Sequence, residues 1–316
     1  MDLKQHYRIG RYIAAALFTA VFAATWDVWW HGAIGRDTLF EPPHLLLYGA
    51  VIVAVAFGVV GWYRTRQTVW KRLAVLLLLI PITAPFDELW HQRYGVEDIA
   101  SPIIVWSPPH LAIIFAVLGS IYLLFPVLRQ DPDEQLKRIF MSMMLAAGLS
   151  MILFALTPLN PLGPWHILGF WAASILAIAI TLVYLLSEHI VPGHASATMV
   201  LVFLCFLLAV GFGERIEAGV EMVPHDHSPS FLLLLSFALP AIFVDISRRS
   251  FIVIRGAVVG LLWGATLFGF SSMFFAAEFK YTFLEGATGV LAAVVGGILA
   301  ACIVNALLSK KLVSNN

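Results

Sequence analysis

Asp27-Val28-Trp29-Trp30-His31-Gly32-Ala33-Ile34-Gly35-Arg36-Asp37-Thr38-Leu39-Phe40-Glu41-Pro42-Pro43-His44 places charge and imidazole between two long apolar runs. Sixty positions on, the pattern returns as Asp87-Glu88-Leu89-Trp90-His91, then Gly95, an acid at Asp98 where Asp37 stood before, and Ser107-Pro108-Pro109-His110-Leu111. The same residue types in the same order indicate a duplicated unit, with repeats predicted over 8–66 and 67–129.

Outward from these stretches the chain is almost wholly apolar. Of 316 residues 60% are hydrophobic and 12% charged, and the mean hydropathy of +0.89 is too high for a soluble domain. Runs of about 17–25 apolar residues, enough to cross a bilayer, are predicted near 10–31, 43–63, 70–91, 108–128, 137–157, 164–187, 194–214, 229–246, 250–276 and 281–308. The expected fold class is therefore all-α: one polytopic transmembrane domain over 1–316, of about ten spans arranged as five hairpins. Lys4, Arg8 and Arg11 ahead of the first run resemble a signal peptide, but the run leads directly into the motif and reads as a retained span. Formal charge is zero and no basic block occurs, which excludes nucleic acid as an expected partner and leaves the lipid bilayer.

The loops set the expected orientation. Lys4/Arg8/Arg11, Arg64/Arg66/Lys71/Arg72, Arg129/Lys137/Arg138, Arg248/Arg249 and Lys310/Lys311 fall on every second loop or terminus, the cytoplasmic side by the positive-inside rule. Both termini are then inside, in a bacterial or archaeal plasma membrane, and the motif loops face the extracytoplasmic side. Both repeats run the same way, so they are parallel and are expected to bring equivalent ends together. Residues 137–249 form divergent hairpins. One carries Pro164-Trp165-His166, and another reads Glu214-Arg215-Ile216-Glu217 through Glu221 to His225-Asp226-His227. In the glycine-rich hairpin 250–316, Gly256/Gly260/Gly264 and Gly289/Ala293/Gly297 recur every fourth residue, a close-packing pattern for scaffold, oligomer or partner subunits. Proline kinks are predicted at Pro81, Pro85 and Pro240.

Four residues apart, Asp27 and His31 share one helical face, as do Asp87 and His91. Pro-Pro-His at a helix start places His44 and His110 at the positive end of the dipole, which disfavours imidazolium and leaves the neutral, metal-binding form. Asp27, His31 and His44 make one three-ligand set, and Asp87, His91 and His110 a second. His166, Glu214, Glu217, Glu221, His225 and His227 are second-rank ligands on the same face. The competing reading takes Trp30, His31, Trp90 and His91 as an interfacial belt. A carboxylate with two imidazoles suits iron, copper or zinc. Cys205 and Cys302 lie apart in apolar runs and offer no thiolate site.

Asp27-x3-His31-x12-His44 resembles the copper-ligand motif in the C subunit of the copper membrane monooxygenases, the particulate methane and ammonia monooxygenase family. The resemblance implies that Asp27, His31 and His44 bind copper near the extracytoplasmic face and that partner subunits take part. Two function classes follow. One is a metal-dependent membrane oxidoreductase, monooxygenase-like, with copper or iron acting on a lipophilic substrate. The other is a permease or metal-loading factor that handles metal ions or protons, and a haem-binding membrane anchor ranks after both.

Overall fold

The computed structural model describes residues 3–33, 40–95, 101–159, 168–202, 204–205, 208, 231–274 and 282–313. The second-rank ligands His166, Glu214, Glu217, Glu221, His225 and His227 all lie outside these residues. Among the described residues the protein is helical, and eight helices are long and apolar enough to cross a membrane. These are the marks of an integral membrane protein. The span expected at 229–246 is present as a shorter apolar helix, Phe231–Ile246, and that expected at 194–214 lies partly outside the described residues.

The chain divides into two compact units. The first, 1–155 with 201–228, contains both motif copies. Its helices are α1 (Leu3–Ala33), α2 (Pro42–Thr65), α3 (Thr68–Tyr94), the single turn α4 (Pro102–Val105), α5 (Pro108–Arg129) and α6 (Glu134–Ala155). Local chemistry accounts for their ends. α2 and α5 each open on two prolines, where a missing N–H costs nothing. The Ser107 hydroxyl caps α5 by accepting from the His110 N–H at 3.3 Å. α3 stops at Gly95, whose φ of +82° suits a residue without Cβ and whose N–H returns to the His91 carbonyl at 2.8 Å.

In this unit α1 packs on α2, α5 and α6, α2 on α3, α3 on α5, and α5 on α6. Close approach depends on small residues: Gly58 lies against Ala74, and Gly61 receives the ring of the fully buried Trp70. At the opposite end from the motifs, the Arg11 guanidinium donates to both oxygens of Asp131 at 2.6 and 2.7 Å, tying α1 to the turn between α5 and α6.

The second unit, 156–200 with 229–316, holds α7 (Ala172–Ile190), α8 (Phe231–Ile246), α9 (Ile252–Phe274) and α10 (Phe283–Val313). Its two small-residue stripes face each other. A methyl group at Gly256 would run into the Gly297 carbonyl, and one at Gly260 into that of Ala293. The stripes thus serve the hairpin itself, the scaffold role among those expected. Pro240 lies inside α8, and the buried Tyr184 hydroxyl donates to the Phe237 carbonyl beside it at 3.0 Å. At one end of this unit Glu188 faces Arg255 at 3.3 Å and Arg248 at 3.6 Å.

Candidate metal centre

Both predicted ligand sets assemble in the first unit. Asp27 and His31 come from the last turns of α1, and His44 from the first turn of α2. The His44 and His31 Nε2 atoms stand 3.1 and 3.5 Å from the two oxygens of Asp27. In the second set, the last turns of α3 supply Asp87 and His91, and the first turn of α5 supplies His110. Both of its Nε2 atoms point at one carboxylate oxygen, Asp87 Oδ1, at 3.7 Å from His91 and 3.6 Å from His110. Within each set one ligand atom per residue lies within 4.8 Å of the others. Ligand atoms about 2.1 Å from a common ion at tetrahedral angles stand about 3.4 Å apart, so the 3.5–3.7 Å spacings match a shared ion better than direct hydrogen bonds, while the 3.1 Å between His44 and Asp27 fits either.

His110 shows how the polarity is arranged. Its Nδ1 lies 2.7 Å from the Ile104 carbonyl, which can only accept, so Nδ1 carries hydrogen and donates there. In the neutral ring the lone pair is then on Nε2, facing Asp87 Oδ1. That oxygen is buried and has no hydrogen-bond partner among the described residues. Two acceptors therefore face one another across 3.6 Å, an arrangement that a cation between them would satisfy. Fixing the ring through its other nitrogen is also how metal-bound imidazoles are oriented. The Ser107 hydroxyl, 3.0 Å from the same Nδ1, adds to the hold.

The two sets adjoin. The His31 and His91 rings meet edge to face, centroids 5.5 Å apart and planes at 89°. Together with His31–His44 at 5.8 Å and His91–His110 at 5.4 Å, they make a row of four imidazoles from α2 through α1 and α3 to α5. His31, His44, His91 and Asp87 are buried, while Asp27 and His110 are partly exposed. Burial counts against the belt reading: Trp30 is 3% exposed and packs edge-on against Trp26 inside the unit. Trp90 instead donates its indole N–H to the Ile103 carbonyl at 2.9 Å, bracing the loop that carries α4.

Sequence reasoning singled out the six side chains that gather in the two sets but missed the Ile104 carbonyl, because a backbone oxygen six residues before a histidine has no signature of its own. Ser107 was legible as part of the repeated motif, and its place before Pro-Pro-His is the usual one for a helix cap. Comparison with protein-family models, curated proteins and solved structures finds no match for this chain.

Proposed function

We propose that this protein is a metal-dependent membrane oxidoreductase, monooxygenase-like, that holds iron or copper at the extracytoplasmic face and acts on a lipophilic substrate. Asp27, His31 and His44 would hold one ion, and Asp87, His91 and His110 a second. The observation that carries the metal is the lone-pair face of His110 turned, at 3.6 Å, toward the buried Asp87 Oδ1, which has no hydrogen-bond partner among the described residues. Nitrogen and oxygen ligands without sulfur favour iron, copper or zinc over soft-metal sites. A three-residue set leaves coordination positions open, where a bound redox metal supplies oxygen or water activation. The resemblance of Asp27-x3-His31-x12-His44 to copper membrane monooxygenases supports the redox choice. Parallel repeats over 8–66 and 67–129, with both motif ends on one side of the membrane, account for two sets of the same design.

The row of four imidazoles favours a second reading, in which the chain passes on metal ions or protons. The spans argue against a path through the bilayer. Residues 12–26, 45–63, 73–86, 111–128 and 139–155 contain no Asp, Glu, Lys, Arg or His, whereas ion pathways are marked by such groups at membrane depth.

The test is metal analysis of protein purified in mild detergent, comparing the native chain with the double variant His31→Ala/His91→Ala. The native chain is expected to bind up to two iron or copper ions, and the double variant almost none. Undiminished iron, copper and zinc in a folded double variant would overturn the metal reading. Reductant-dependent oxygen consumption without metal flux in proteoliposomes is expected of the enzyme, and metal flux would move the assignment to the permease.

A further inference from the structure

Beside the second ligand set runs a groove of about 560 Å³, within the roughly 300–1,000 Å³ usual for small-molecule sites. Thr83, Phe86, Leu89, Trp90 and Arg93 on α3 line it together with Pro109 at the start of α5. Three lining residues are chain neighbours of ligands: Phe86 precedes Asp87, Trp90 precedes His91, and Pro109 precedes His110. The groove therefore flanks the face of α3 that carries Asp87 and His91.

Its surroundings identify what it meets. Phe86 and Leu89 are 62% and 61% exposed on a helix apolar enough to span a membrane, so their outer medium is lipid. From Thr83 to Tyr94 the groove follows eleven residue steps of α3, about 16 Å at 1.5 Å per residue. That length is about half of the roughly 30 Å hydrocarbon core, one leaflet. Apart from Thr83, whose hydroxyl donates to the Ile80 carbonyl of its own helix at 2.9 Å, the lining is aromatic and aliphatic until the last turn, where Arg93 stands. Between Asp87 and His110 Arg93 is the one Lys or Arg of the described residues, at the membrane end where cations are otherwise scarce. Among the described residues its guanidinium meets the Tyr94 ring, 5.9 Å to the centroid, and forms no ion pair with a carboxylate.

An apolar trough one leaflet long that ends in a guanidinium meeting no carboxylate among the described residues is complementary to a molecule with one hydrocarbon chain and an anionic head. A guanidinium pairs with a carboxylate through two parallel hydrogen bonds. We propose that this groove binds a long-chain carboxylate, entering sideways from the bilayer with its head at Arg93 and its chain along Phe86 and Leu89. This deepens the function proposed above, on which it rests for its role as substrate; the binding itself does not require the metal.

The native chain, reconstituted in phosphatidylcholine vesicles, is probed by electron spin resonance with spin-labelled stearate at alkaline pH. The methyl ester of the same label and a spin-labelled phosphatidylglycerol serve as comparisons. Stearate is expected to show a motion-restricted population with an association at least three-fold above that of its ester. Arg93→Gln should bring stearate down to the ester's level, and Leu89→Trp, which fills the trough, should remove the excess for both. Both positions are exposed, so the variants are expected to retain the native helix content by circular dichroism. Equal association of acid and ester, an Arg93→Gln variant that keeps the preference, or an equal Arg93-dependent preference for phosphatidylglycerol would each overturn the proposal. Iron and copper are measured on the same vesicles. Arg93-dependent stearate binding in metal-free protein supports the groove and counts against the metal reading alone.

Discussion

Asp131 illustrates how one residue sets local stability away from the candidate centre. Burial alone would lift its carboxyl, but the two Arg11 hydrogen bonds at 2.6 and 2.7 Å and the Asp133 N–H at 3.0 Å outweigh burial and hold it below the ordinary carboxylate range. A lowered folded-state value means that this stabilisation is complete above the unfolded value of about 3.9 and is lost as pH falls through the lowered one. Asp131→Asn is expected to cost about 2–3 kcal/mol at neutral pH, as lost hydrogen bonds to charged groups do. It should also flatten the fall in melting temperature between neutral and acid pH. A variant that melts like the native chain at pH 7 would show that the pair contributes nothing. Neither residue announces this pairing in the sequence, since 120 positions separate Arg11 from Asp131.

At the scale of elements, the hairpin of α9 and α10 depends on glycine for backbone contact. Lipid drives no hydrophobic association between helices, so close packing of small residues supplies the attraction. Gly260 lies against the Ala293 carbonyl, whereas at Gly269 no atom of the described residues comes within 4 Å of the position a Cβ would take. Gly260→Val is expected to destabilise the protein by about 1–3 kcal/mol, the usual cost of overpacking, and to lower its thermal midpoint in detergent. Gly269→Ala should leave it unchanged. Equal midpoints for the two variants would remove the packing argument. The every-fourth-residue spacing was legible in the sequence, but the surface it would meet was not.

At the scale of the whole molecule, the distribution of charge is the basis for orientation. Arg64, Arg66, Lys71 and Arg72 cluster at the turn between α2 and α3, and both ligand sets lie at the other ends of these helices. The positive-inside rule is the ground for the proposed orientation, with the turn cytoplasmic and the ligand sets extracytoplasmic. Single cysteines placed at Arg66 and at Asp98, in a chain with Cys205 and Cys302 replaced by Ser, are expected to react with a membrane-impermeant maleimide from opposite sides of intact cells or vesicles. Labelling of both from one side would overturn the topology and, with it, the one-faced position of the centre.

By itself the sequence determined the all-helical membrane class and pointed to the six candidate ligand side chains that the fold brings together. Hydrocarbon requires every backbone group to be bonded within its own span, so apolar runs of sufficient length become helices. The four-residue step from Asp to His, and proline at a helix start before the second His, are local and survive any packing of the spans. Tertiary structure alone decided that His31 meets His91 edge to face, that His110 donates to the Ile104 carbonyl, and that the two small-residue stripes serve each other. Those choices depend on how each helix is rotated about its axis. A soluble helix shows its rotation by an apolar stripe, but a span that is apolar toward both lipid and its neighbours carries little of that signal.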